Sequence, residues 1–199
     1  MRIKLDGLSF EVPQDVYGPS DDSMLLAKYA KELKGSVLDV GCGCGIQAIT
    51  NAKHNPKNLV FGVDINRVAV ECSRYNASFN GIKNASFEKS DLFDNVPENH
   101  FDAIIFNPPY LPTEKHERIN SELNHAFDGG LDGRIIVDRF LFEFEKHINE
   151  EGVLLMVQSS LNNLEKTIAI LEEKDFSVMI RGRAEFFFEK LYVVEARRL

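Results

Sequence analysis

Residues 37–45 read Val-Leu-Asp-Val-Gly-Cys-Gly-Cys-Gly: an apolar run that suits a buried strand, followed by glycine at every second place. Ser36–Val40 reads as the first core strand, and the glycine loop leads from it into a helix near Ile46–His54. Outward from this unit, strand and helix signals alternate. Upstream, a short β pair across Ile3–Val12 precedes a helix with Asp22 or Ser23 near its cap and Leu26, Tyr29 and Leu33 on one face. Downstream, Leu59–Val63 reads as a second strand. Asn66 caps the next helix, which stops at Asn80-Gly81, where glycine suits a left-handed terminal residue. Asn84–Glu88 and Phe101–Phe106 read as two more strands. The spacing of Val137, Leu141, Phe144 and Ile148 predicts an amphipathic helix over Arg134–Ile148. A strand at Gly152–Gln158, a helix over Leu161–Lys174 with Leu164, Ile168 and Leu171 inward, and two closing strands in Phe176–Arg197 complete the chain. Strands alternating with helices predict an α/β fold, a mostly parallel seven-stranded sheet with helices on both faces. The last two strands have no helix between them, which predicts a C-terminal antiparallel hairpin.

Composition narrows the function. The 199 residues fit one domain, 1–199, with room for a full core. Hydrophobic residues at 44% and charged residues at 27% suit a soluble globular protein. A formal net charge of −8 argues against a duplex-binding surface, because neutralising phosphates takes clustered Lys and Arg. The first ten residues lack the apolar core of a signal peptide, and no apolar run approaches a bilayer-spanning length, so no membrane partner is expected. Cys42, Cys44 and Cys72 are too few for a disulfide framework, and their spacing matches no common zinc pattern. A reducing, cytoplasmic setting and no metal are expected.

In open α/β sheets ligands bind beyond the carboxyl ends of the strands. Four loops fall on that rim. Gly41, Gly43 and Gly45 form G-x-G-x-G, whereas a dinucleotide fingerprint needs glycine at the place of Ile46, and the Gly-Lys-Ser/Thr ending of a phosphate loop is absent. The loop therefore lets a ligand lie against backbone without a claim on pyrophosphate. Asp39 adds an acceptor suited to an amino group, and Asp64, ending the next strand, can accept from both ribose hydroxyls. Asp91, in Ser90-Asp91-Leu92, can accept from the 6-amino group of adenine. A ribose, an adenine and an amino-acid head without phosphate describe S-adenosylmethionine. The fourth loop is Asn107-Pro108-Pro109-Tyr110, closing the strand Phe101–Phe106. The prolines hold the backbone rigid. The Asn107 amide oxygen and the Pro108 carbonyl remain as two acceptors beside the flat face of Tyr110, an arrangement suited to a planar –NH2, either a carboxamide or the exocyclic amine of a base.

Four segments carry a resemblance that spans most of the chain: Val16–Ser23 (VYGPSDDS), Val37–Gly45, Ser90–Leu92, and NPPY with Gly129–Phe140 (GGLDGRIIVDRF). They resemble the archaeal and eukaryal branch of the HemK/PrmC-like glutamine N5-methyltransferases, Rossmann-like class I S-adenosylmethionine-dependent enzymes. Gly18 stands where that branch commonly has an acidic residue, and Asp21 where it has Glu. The resemblance implies Ser23, Asp39, Gly41, Asp64, Asp91, Leu92 and Asn107 around the cofactor. Asn107 would also hold the substrate amide, with Pro108 helping and Tyr110 packing on it. It implies methylation of the glutamine of Gly-Gly-Gln in class 1 translation release factors, with a small zinc-binding activator protein as partner.

Two rival functions differ in class. One is methylation of a nucleic-acid exocyclic amine, opposed by the acidic balance and the lack of a separate target-recognition domain. The other is a non-catalytic scaffold that binds the cofactor, opposed by the intact Asn107 and Asp64. Elsewhere, His116-Glu117 reads as a solvated loop, and Leu111–Gly133 as the segment that recognises substrate. Phe186–Phe188 reads as core plus one exposed edge residue rather than a base-stacking platform.

Overall fold

The computed structural model describes residues 1–97, 100–112 and 129–199. β1 (Arg2–Leu5) and β2 (Leu8–Glu11) pair antiparallel as a small sheet of their own. Seven strands form the main sheet: β3 (Ser36–Val40), β4 (Leu59–Asp64), β5 (Ala85–Lys89), β6 (Phe101–Phe106), β7 (Ile148–Ser159), β8 (Phe176–Glu185) and β9 (Lys190–Arg198). Their order is β5-β4-β3-β6-β7-β9-β8. From β5 through β7 every pairing is parallel. Only β9 runs the other way, antiparallel to both β7 and β8, so the expected hairpin closes the sheet.

Side chains alternate between the two faces of a strand, and here both faces are buried. Val37, Ala103, Ile105, Val153, Leu155 and Val157 join the core beneath α1 (Asp21–Ala30), α2 (Ile46–His54) and α3 (Arg67–Phe79). Their neighbours Leu38, Val40, Ile104, Phe106, Leu154 and Met156 join the opposite core, beneath α4 (Ile135–Glu143) and α5 (Leu164–Glu173). Because Phe106 stacks on Phe140 of α4 with ring centroids 4.1 Å apart, the next residue, Asn107, is turned toward α1.

Three expectations change. The helix read over Arg134–Ile148 stops at Glu143, continues as a single 3-10 turn over Phe144–Lys146, and Ile148 already belongs to β7. Strand pairing captures the chain there, since Phe101 N donates to His147 O at 2.8 Å. Val137, Leu141, Phe144 and Ile148 are buried in one core all the same, the last two from a turn and a strand. The helix read from Leu161 starts at Leu164, where Asn163 caps it by accepting from Lys166 N at 3.0 Å; residues 160–162 are a separate 3-10 turn. Phe186, Phe187 and Phe188 contribute nothing to the core: they are 41%, 92% and 85% exposed. The strands on either side end at Glu185 and Lys190, so these residues occupy the turn, where strand alternation does not apply. His116-Glu117 and most of Leu111–Gly133 lie outside the described residues. Among those described, no helix is long and apolar enough to cross a membrane.

The stretch Gly129–Arg134 anchors the rim to this frame. Gly129 N donates to Leu111 O at 3.1 Å, and Gly133, at φ +70°, lies so close to the exit of β6 that a Cβ would stand 2.3 Å from Tyr110 O. Arg134, 3% exposed, donates through Nη1 to Asn162 O (2.6 Å), Asn163 O (2.9 Å) and Thr167 Oγ1 (3.0 Å). Its Nε and Nη2 reach Asp138 Oδ1 at 2.9 and 2.7 Å. One guanidinium thus ties α4 to the cap of α5. Removing it takes five hydrogen bonds from a buried cluster in which Asn162 O and Thr167 Oγ1 keep only Gln158, so Arg134→Ala should cost about 3 kcal/mol in chemical denaturation. A cost below about 1 kcal/mol would show that the cluster contributes little.

Candidate active site

The carboxyl ends of β3, β4, β5 and β6 meet on one rim around a cavity of about 350 Å³. Ser23, Gly41, Gly43, Asp64, Asp91, Leu92, Asn107, Pro108 and Tyr110 all line it. Two expected residues do not. Asp39 projects beneath α2, where its fully buried carboxyl accepts from Ala48 N at 3.1 Å. Gly45 is a packing position, where a Cβ would meet Ile49 Cδ1 at 2.8 Å.

Each wall is held by backbone. Asp64 is fixed from two sides, accepting from Gly43 N and Asn66 N at 2.8 Å each. Leu92 has φ +47°, a strained conformation for a branched side chain of the kind that concentrates at functional sites. Asp91 pairs with Arg139 at 3.1 Å, and both line the cavity. Gly41 and Gly43 have φ of +68° and +56°; a Cβ on Gly41 would come no closer than 3.9 Å to anything, and one on Gly43 would meet nothing within 4 Å. Side chains there would fill the cavity instead of the protein.

The Asn107 end is organised by Asp22, which sequence reasoning treated only as a helix-cap candidate. Asp22, 3% exposed, accepts at Oδ2 from Asn107 Nδ2 (3.0 Å) and Tyr110 OH (3.4 Å). Tyr17 OH lies 3.1 Å from both of its oxygens, and Ser23 Oγ donates to Oδ1 at 3.0 Å. Burial, reinforced by the charge of Asp22, pushes both phenols well above the ordinary tyrosine range, so both remain donors at neutral pH. A carboxylate only accepts, so the Asn107 nitrogen must face it and Oδ1 must face away. That oxygen is buried without a partner among the described residues. A buried acceptor left open costs about 1–3 kcal/mol, and such exceptions call for a reason.

Gln47, also missed, repeats the pattern beside the glycine loop. Its Nε2 donates to Ser23 O at 2.9 Å, while Oε1 is buried, unpartnered and on the cavity wall. The sequence signal was an amide inside the fully buried run Ile46–Ala52. The pair Asp91–Arg139 had no local signal.

The cavity therefore combines the carboxylates of Asp64 and Asp91, a backbone cradle, buried amide oxygens and, among the described residues, no cluster of basic side chains. Residues 20–128 match the family model described as the methyltransferase small domain. The chain belongs to that family. It is 45% identical, over the full length of both chains, to a protein of Methanocaldococcus jannaschii provisionally named protein N5-glutamine methyltransferase. It is 30% identical over 178 residues to the release factor glutamine methyltransferase of Geobacter sulfurreducens, covering 85% of this chain and 62% of that one. Among solved structures it resembles E. cuniculi Mtq2 from the Mtq2–Trm112 complex, which methylates the termination factor eRF1. The TM-score is 0.73 at 23% identity, covering 94% of this methyltransferase and 100% of that chain, a likeness of fold.

The buried carboxyl of Asp39 gives this methyltransferase a pH signature. Burial raises its pKa from 3.8 to about 8, the Ala48 hydrogen bond opposes that, and the charge of Asp64 adds to it. Between roughly pH 4 and about 8 the folded state then holds a proton that the unfolded state has released, so stability falls as pH rises through that window. Asp39→Asn, which keeps the acceptor for Ala48, should flatten the fall. Denaturation midpoints that track wild type across the window would contradict the assignment.

Proposed function

We propose that this methyltransferase alkylates the side-chain amide nitrogen (N5) of a glutamine, that of Gly-Gly-Gln in a class 1 translation release factor, with S-adenosylmethionine as donor. The observation that carries this is the buried, open Oδ1 of Asn107, held in orientation by Asp22. The names borne by the relatives in M. jannaschii and G. sulfurreducens support the same substrate. A small activator protein belongs to the proposal, as the Mtq2–Trm112 likeness suggests, and we take it to be zinc-binding on the strength of the sequence resemblance. The setting is cytoplasmic, in keeping with three free, buried thiols.

Gly41 and Gly43 would cradle the amino-acid head of the donor, Gln47 Oε1 would accept from its ammonium, Asp64 would hold the ribose, and Asp91 and Leu92 the adenine. Bound there, S-adenosylmethionine supplies an electrophilic methyl carbon.

The protein's task concerns the nitrogen. A carboxamide NH2 is a weak nucleophile because its lone pair is shared with the carbonyl. Asn107 Oδ1 accepts one of its hydrogens and the Pro108 carbonyl the other, which favours a pyramidal, more electron-rich nitrogen. Both acceptors are set before the substrate arrives: the carboxylate of Asp22 fixes the amide, and the ring of Pro108 fixes the backbone. Acceptors fixed in advance act where charge develops, and that is where electrostatic catalysis gains most. Tyr110 closes the site against water and contributes a flat apolar face. No titrating base is needed, because the proton leaves after transfer.

Radiolabelled methyl transfer should label a purified release factor and leave DNA and RNA unlabelled; labelling of nucleic acid alone would overturn the proposal. Asn107→Ala should lower turnover on that substrate at least about 100-fold, the scale of one lost oxyanion-type contact. Turnover near wild type would remove Asn107 from the mechanism. Asp64→Ala should weaken donor binding by roughly 1.5–3 kcal/mol in calorimetry, and an unchanged affinity would refute the ribose role.

A further inference from the structure

The turn between β8 and β9 breaks a local rule. Phe186 N donates to Glu189 O at 2.7 Å, closing a hairpin with Phe187 and Phe188 as its two central residues. Such places favour Asn, Asp and Gly. Here they hold two of the most exposed large side chains among the described residues, at 92% and 85%. The two rings pack edge to face with centroids 4.5 Å apart, so they form a fixed apolar knuckle. Local rules broken without a gain in folding mark functional positions.

The knuckle stands beside the mouth of the active site. Glu189, the last residue of the turn, accepts from Ser159 Oγ at 2.6 Å, and its charge is felt by the hydroxyls of Tyr17 and Tyr110. Lys190 N donates to Ser160 Oγ at 3.0 Å, seating the turn on the 3-10 turn at 160–162. From there Asn162 Nδ2 donates to Gly133 O at 3.3 Å, and Gly133 rests against Tyr110. The turn, the 3-10 turn and the Asn-Pro-Pro-Tyr loop therefore form one continuous rim. Leu161 and Leu131 on that rim are also exposed, at 47% and 75%.

We propose that Phe187 and Phe188 are the anchor by which this rim grips the body of the protein substrate while its glutamine enters the cavity. This deepens the function proposed above and rests on it. A glutamine within a polypeptide cannot reach Asn107 without laying its flanking chain across the mouth, and the knuckle is the apolar feature that meets it. Aromatic side chains, phenylalanine among them, are enriched at the cores of protein interfaces. The occupant is a folded protein carrying apolar residues near the glutamine.

The test pairs two substrates. In the full chain, Phe187→Ser with Phe188→Ser should raise KM for the release factor about tenfold or more, with kcat within about twofold of wild type. Transfer to a short Gly-Gly-Gln peptide and affinity for the donor should be unchanged. Both rings are solvent-exposed, so the melting temperature should stay within about 2 °C, which separates an anchoring loss from unfolding. An unchanged KM for the release factor overturns the anchor and leaves the proposed function standing. Wild-type protein that fails to methylate the release factor, alone and with the small activator protein added, overturns the proposed function and, with it, the identity of the occupant. Sedimentation that shows a dimer dissolved by the double substitution assigns the knuckle to a second copy of the chain and overturns the anchor as well.

Discussion

The hydrogen bond from Asn107 Nδ2 to Asp22 Oδ2, 3.0 Å long, sets the polarity of the site. An amide presents either an acceptor or two donors depending on a half-turn about one bond, and the two faces have opposite chemistry. A buried carboxylate beside it removes that ambiguity, because only the nitrogen end can face a pure acceptor. The hydroxyls of Tyr17 and Ser23 donate to the same carboxyl, so its orientation is fixed as well. Asn107 is therefore the end member of a network rather than an isolated side chain, with one buried amide oxygen left for a ligand to satisfy.

That network depends on the frame around it. Asn107 faces α1 because strand alternation sends Phe106 into the opposite core against Phe140. The backbone just beyond is pinned by Gly133, whose missing Cβ lets the chain rest against Tyr110 O, and Gly133 adjoins the buried hub of Arg134. The glycine-rich segment after the Asn-Pro-Pro-Tyr loop thus has a mechanical part: it brackets the loop between α4 and α5. Two prolines alone would fix the local dihedrals without fixing where the loop stands relative to α1.

The fold was legible in the sequence to the extent that it is local. The apolar runs at Val37–Val40 and Ile104–Phe106, the glycines after β3 and the missing helix between β8 and β9 all report on neighbours in sequence. The end of α4 was not legible, because Phe144 and Ile148 keep helical spacing while their core is reached through a turn and a strand. The rim acids Asp64 and Asp91 were found because each directly ends or follows a strand. Asp22 was not, since its meaning lies in a contact with a residue 85 positions away. Asp39 and Gln47 exchanged places for a related reason. Both adjoin the glycine loop, and only the turn taken there decides that the carboxyl goes under α2 while the amide reaches the cavity.

The strand order divides the labour of the site. β3, β4 and β5 lie on one side of the switch point and carry the glycine loop, Asp64 and Asp91. β6, β7, β9 and β8 lie on the other and carry Asn107, the bracket at Gly133 and the aromatic turn. On the proposed function, the residues that hold the donor are thus separated from those that meet the protein substrate, with Asn107 at the seam between them. A planar –NH2 on a base and one on glutamine make the same demand on Asn107. Among the described residues the outer rim offers exposed Phe187, Phe188, Leu161 and Leu131 rather than a cluster of cations for a phosphate backbone, which favours the glutamine.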